Sequence, residues 1–98
     1  MKYTFEKPIN FEGVEYKEIN IDFDSLTTQA HIEIEGHLMS QGIIVVQPET
    51  SRTYQLYAVA KAAKLPVEFW KAVPFREGGK IALMAYHFLL DVGSPTQE

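Results

Sequence analysis

The apolar residues change period once along this chain, and that change bounds the folds open to it. Up to about residue 23 they alternate with polar ones: Tyr3 and Phe5 with Thr4 and Glu6, then Val14 and Tyr16 with Glu15 and Lys17. A period of two marks a strand with one buried face. From Leu26 the step becomes four, through Ala30, Ile34 and Leu38, which is one stripe of an amphipathic helix. The expected fold class is α+β, an N-terminal β-hairpin followed by three to four α-helices in one small domain.

Within the hairpin, Asn10-Phe11-Glu12-Gly13 has Asn first and Gly fourth, the preference of a type I turn. With Gly13 left-handed it becomes a three-residue loop that sets Ile9 opposite Val14. The apolar positions then jump from even (Val14, Tyr16) to odd (Ile19, Ile21, Phe23), so a bulge at Lys17–Glu18 is needed to keep one face apolar. Pro8 lacks an amide proton, so its strand should be an edge or break there.

Asp24–Thr28 is rich in capping residues and opens the first helix, although His31–Glu35 also alternates like a strand. Gly42 is a plausible stop. Ile43–Val46 is β-branched and reads equally as a short strand or an extended connector. Pro48–Ser51 starts a second helix that ends before Leu65-Pro66, with Lys61 and Lys64 in its last turn. Val67–Ala72 allows one further turn, and Pro74 opens a last element with a stripe of Ile81, Ala85 and Leu89. The hairpin is expected at about 3–23 and the helices at about 27–41, 50–64, 67–72 and 77–91. They make a single domain over 1–93, with a flexible tail at 94–98.

Charge narrows the function classes. The 98 residues carry a net charge of −4, split between −6 over Met1–Thr50 and +2 over Ser51–Glu98. The basic half scatters its cations at Arg52, Lys61, Lys64, Lys71, Arg76 and Lys80, without the cluster that phosphate binding draws on. Nucleic acid is therefore disfavoured as a partner. Ile43–Val46 and Ile81–Ala85, the longest aliphatic runs, fall far short of the roughly 20 apolar residues of a membrane span. Met1–Asn10 lacks the apolar stretch of a signal peptide. With no cysteine there is no disulfide, thiolate site or thiol nucleophile.

No active site emerges from the residues. His31 with Glu35, and Glu33 with His37, stand one helical turn apart, but two ligands do not make a metal site. They read as solvated acidic surface. His87 reads as a partly buried packing residue. Glu12, Glu15, Glu18, Asp22 and Asp24 lie on or beside the hairpin, where charge discourages stray strand pairing. Ser25 and Ser51 are helix caps. Gly78-Gly79 is not followed by the Lys-Ser or Lys-Thr of a phosphate loop. The chain is expected to be no enzyme and to need no cofactor or metal. Seven aromatics fall in the second half, most of them core. Tyr57, Trp70 and Phe75 are the candidate partner-binding residues, each with a core role as its alternative.

The order of these segments resembles the tail assembly chaperones of tailed bacteriophages, small proteins encoded just ahead of the tape measure protein. Phe5-Glu6-Lys7-Pro8-Ile9 and Gly13-Val14-Glu15-Tyr16-Lys17-Glu18-Ile19 look like that family's N-terminal hairpin. Asp24-Ser25-Leu26-Thr27 resembles its entry to the first helix. Tyr54–Ala63 with Leu65-Pro66 resembles its Ala-rich helix and hydrophobic-Pro step, and His87-Phe88-Leu89-Leu90 its terminal Phe-Leu. Two departures stand out: Gly78-Gly79 implies a late start to the last helix, and Ile43–Val46 is more apolar than the expected connector. The resemblance implies action in the host bacterial cytoplasm, by binding the tape measure protein and recruiting tail tube protein, with absence from the mature virion. A homo-oligomer is compatible with it. A small nucleic-acid-binding or transcriptional regulator is the alternative, and an enzyme or enzyme subunit a distant third.

Overall fold

The computed structural model describes residues 2–93. Its elements run β1 (Lys2–Phe11), β2 (Val14–Asn20), a 3₁₀ turn (Phe23–Ser25), α1 (Thr28–Ser40), a second 3₁₀ turn (Pro48–Thr50), α2 (Arg52–Ala63), α3 (Val67–Lys71) and α4 (Phe75–Gly93). The architecture is the expected α+β one, an antiparallel hairpin followed by four helices. The expected tail at 94–98 lies outside the described residues.

The hairpin differs from expectation in its turn and its register. Phe11 pairs with Val14, leaving Glu12 and Gly13 as a two-residue loop with φ of 50° and 81°. Two left-handed residues in a row match the twist of the flanking strands, which a type I turn would splay. Ile9 therefore faces Tyr16 rather than Val14. The irregularity sits in β1 instead of at Lys17–Glu18: four residues, Phe5–Pro8, oppose Lys17 alone. Pro8 has no ladder donor to lose there, and the added length lets Phe5 and Ile9 both reach the core.

The helix ends follow the local chemistry closely. At the end of α1, Gly42 has φ +80°, the Ile43 amide donates to the Leu38 carbonyl at 2.9 Å and the Gly42 amide to Met39 at 2.9 Å. This paired closure satisfies two end carbonyls and needs a left-handed residue. Ile43–Val46 then runs on as a connector, not a strand. Ser51 caps α2, its Oγ accepting from the Tyr54 amide at 3.1 Å. Lys64 closes α2 in the left-handed region (φ 59°), and the Leu65 amide returns to the Ala60 carbonyl at 3.1 Å. The last helix starts at Phe75 rather than 77. Pro74 supplies the carbonyl that the Gly78 amide needs, at 2.8 Å, so the glycine pair sits inside the first turns.

Two apolar clusters hold these elements. The larger joins Phe5, Ile9, Ile19, Ile21 and Phe23 to Val59, Phe69, Trp70, Ile81 and Ala85. Phe69 is its hub, meeting Phe5, Phe11, Tyr16 and Trp70 with centroids 4.9–6.2 Å apart, all at steep angles. The smaller cluster seats Ile34 and Leu38 of α1 on Tyr54, Ala58 and Leu89. Leu26 and Ala30, the other members of the expected α1 stripe, are half-buried. α1 thus packs through one narrow stripe and leaves its remaining faces to solvent.

Candidate partner-binding surface

The three residues singled out from sequence land in three different environments. Trp70 is 2 % exposed in the larger core, with an indole N–H that meets no acceptor among the described residues, so it offers nothing to a partner. Tyr57 is half-buried on α2 with its ring against His37 of α1, centroids 5.3 Å apart. Phe75, the first residue of α4, is 95 % exposed. A large apolar ring fully in water is the arrangement a partner-binding side chain needs.

The histidines are engaged within the chain. His31 is half-buried, its Nδ1 sharing a hydrogen bond with the Tyr54 hydroxyl, which corrects its reading as solvated surface. Tyr54 is fully buried on the next helix, so its hydroxyl must find a partner, and His31 is the group above it. His37 is exposed beside Gln41 and Tyr57. His87 is exposed rather than partly buried, because the buried stripe of α4 runs through Ile81, Ala85 and Leu89 and leaves residue 87 on the solvent side. Glu33 takes Lys61 as partner at 2.7 Å, and that ammonium holds its carboxyl below the usual carboxylate range. Among the described residues no group of three or more His, Asp or Glu converges to hold a metal.

Glu77 escapes the sequence reading altogether. It is 4 % exposed near the start of α4, and its carboxylate accepts the Tyr3 hydroxyl and, at 2.9 Å, the Glu6 amide. That amide belongs to the irregular stretch of β1 and has left the strand ladder. The acceptor replaces the lost ladder bond and pins β1 to α4. Lys80 adds an exposed ion pair to Glu6 at 3.4 Å. The one sequence signal for this role is a Glu at the third position of a helix, one turn before Ile81, and capping accounts for it equally well.

Beside His31 and Tyr54 lies a cavity of about 150 Å³, lined by Leu26, Ala30, Ile34 and Leu89 among others. Burial, with the nearby Glu35 charge, pushes the Tyr54 hydroxyl up to about 12. Burial also raises Tyr3, reinforced by the bond to Glu77. A phenol whose folded pKa exceeds its unfolded value of about 10 holds its proton more tightly in the fold. Its stabilisation is complete below about pH 10 and is lost as pH rises through the folded pKa. Thermal melts should therefore be level up to about pH 10 and decline steeply above it. In Tyr54→Phe the decline should be shallower from a lower starting point; an alkaline decline equal to that of the natural chain would show that Tyr54 does not contribute.

The apolar groups left outside the core concentrate on α1 and the connector after it. Ile32, Met39, Ile44 and Val46 are exposed, Ile44 at 83 %. Between α1 and the connector runs a groove of about 290 Å³ lined by Glu35, Leu38, Met39, Ile43, Ile44 and Val45. The sequence signal for it is the Ile32–Met39 spacing opposite the buried stripe, followed by four β-branched residues. No described helix is long and apolar enough to cross a membrane. Compared with known proteins, the chain significantly matches no family model, no curated protein and no solved structure.

Proposed function

We propose that this chain is a phage tail assembly chaperone, which keeps the tape measure protein soluble and helps bring tail tube subunits to it in the host cytoplasm. The observation that carries the reading is the display of large apolar side chains, Phe75 on α4 and Met39, Ile44 and Val46 around α1, on a folded domain. Such groups are what an apolar partner stripe would rest on. The element order, hairpin, helix, helix, short helix, long helix, is the one read from periodicity and caps, and the segments that carry the resemblance lie along it. A long amphipathic chain aggregates unless its apolar stripes are covered, and tube subunits must not assemble off their template. A protein that covers such stripes and then leaves needs exposed apolar surface and no catalytic apparatus.

Co-expression of this chain with the tape measure protein encoded beside it, followed by fractionation, tests the reading. Most of the partner should move from the pellet to the supernatant and co-purify with the chain. A partner equally insoluble with and without it, and absent from the purified material, sinks the proposal.

A further inference from the structure

The outer face of α1 carries a second apolar stripe that the fold does not use. At about 100° per residue, Ile32, Gly36 and Met39 share one side, opposite Ile34 and Leu38. Met39 continues that side into the groove made with Ile43, Ile44 and Val45. Gly36 is the informative residue. A glycine inside a helix weakens it relative to alanine, so it needs a reason. The fold supplies none, since a Cβ at Gly36 would meet nothing within 4 Å beyond its chain neighbours and the backbone of its own turn of helix. A notch between two apolar side chains is what lets another backbone come close.

Charge states what that backbone belongs to. Glu18–Ser51 holds six carboxylates and no Lys or Arg. Glu33 and Glu35 are both exposed and flank the stripe on its two sides, Glu33 meeting Lys61 and Glu35 standing on the rim of the groove. A second copy of this chain is a poor occupant, because a two-fold contact would set two copies of α1, each carrying Glu33 and Glu35 and no Lys or Arg, against each other. A helix whose apolar stripe is bordered by Lys and Arg matches both the notch and the rim.

We propose that the outer face of α1, with Gly36 at its centre and the groove beside Met39 and Ile44, docks a basic-flanked amphipathic helix. This rests on the reading of the chain as a chaperone for a helical partner, and it specifies where that partner sits and what flanks its stripe. Gly36 sets the approach distance, Met39 and Ile44 cover the apolar stripe, and Glu33 and Glu35 fix the orientation.

Two designed amphipathic peptides test it, alike in their apolar stripe but flanked by Lys and Arg in one and by Glu in the other. By fluorescence anisotropy at about 0.15 M salt, the basic peptide should bind at least about tenfold tighter, and the gap should shrink at about 1 M salt. Gly36→Leu should melt no lower than the natural chain, and up to about 4 °C higher, while losing at least about tenfold in peptide affinity. Met39→Ser with Ile44→Ser should lose as much with folding intact, and Val14→Thr, an exposed apolar residue on the hairpin, should lose nothing. Equal binding of the two peptides, or unchanged affinity in Gly36→Leu and in the double variant, overturns the proposal. So does a dimer in sedimentation that the same variants dissociate, since the occupant is then a second copy. If the tape measure protein co-purifies equally with the natural chain and with Gly36→Leu, the groove fails and the chaperone reading stands. If the basic peptide needs the groove but the tape measure protein never co-purifies, the groove stands and the chaperone reading fails.

Discussion

Replacing Phe69 by alanine is expected to cost about 3–5 kcal/mol of folding stability, the range for truncating a buried aromatic. Phe69 is fully buried and its ring meets Phe5 and Phe11 of β1, Tyr16 of β2 and Trp70. Its edge-to-face partners add about 0.5–1.5 kcal/mol per pair beyond simple burial, so the upper part of the range is the better expectation. A domain of this size has a total stability of about 5–15 kcal/mol. The variant should therefore sit close to its unfolding transition at ambient temperature, with a urea midpoint lower by at least about 1 M. Phe75→Ala is the matched control, the same deletion on a ring that is 95 % exposed, and it should stay within about 0.5 kcal/mol of the natural chain. Similar losses in the two variants would mean that Phe69 is not the hub of the core.

Much of this fold is legible in the sequence because periodicity and caps are local properties. Ala30, Ile34 and Leu38 face inward as their spacing requires, while Leu26, half-buried too, precedes α1 in extended backbone; Gly42 ends α1 and Ser51 caps α2. The hairpin register is not local. It is set where Pro8 interrupts the ladder and where Phe5 and Ile9 must both find the core, and that core is built by residues more than fifty positions away. The same holds for the aromatics. Trp70 and Phe75 stand five residues apart in one apolar-rich stretch, yet the short α3 turns one inward and Pro74 delivers the other to solvent. No property of either residue decides that outcome. The exposed stripe on α1 was open to the same helical arithmetic as the buried one. It escapes notice because Glu33 and Glu35 beside it read as an ordinary solvated face.

Glu77→Ala should cost about 1–3 kcal/mol, the worth of two partly buried hydrogen bonds, and the loss should be felt first in β1 rather than in α4. The carboxylate satisfies two donors with few alternatives: the Glu6 amide, displaced from the ladder by the irregular stretch, and the Tyr3 hydroxyl. Both bonds are only partly buried, with Tyr3 half-buried and Glu6 exposed, so each is worth about 0.5–1.5 kcal/mol. Glu77→Gln keeps one carbonyl oxygen but turns the second position into a donor, so it can serve only one of the two. A loss of about 0.5–1.5 kcal/mol is expected there. Tyr3→Phe removes one donor and with it one demand on residue 77. Tyr3→Phe and Glu77→Gln should therefore combine to less than the sum of their separate losses, with a coupling of about 0.5–1.5 kcal/mol. Amide exchange supplies the site-specific reading. The Glu6 amide should be protected in the natural chain and exchange faster in both Glu77 variants, while amides deep in α4 keep protection in proportion to overall stability. If Glu77→Gln lies within about 0.5 kcal/mol of the natural chain, or the Glu6 amide exchanges freely throughout, the clamp between β1 and α4 does not hold the hairpin in place.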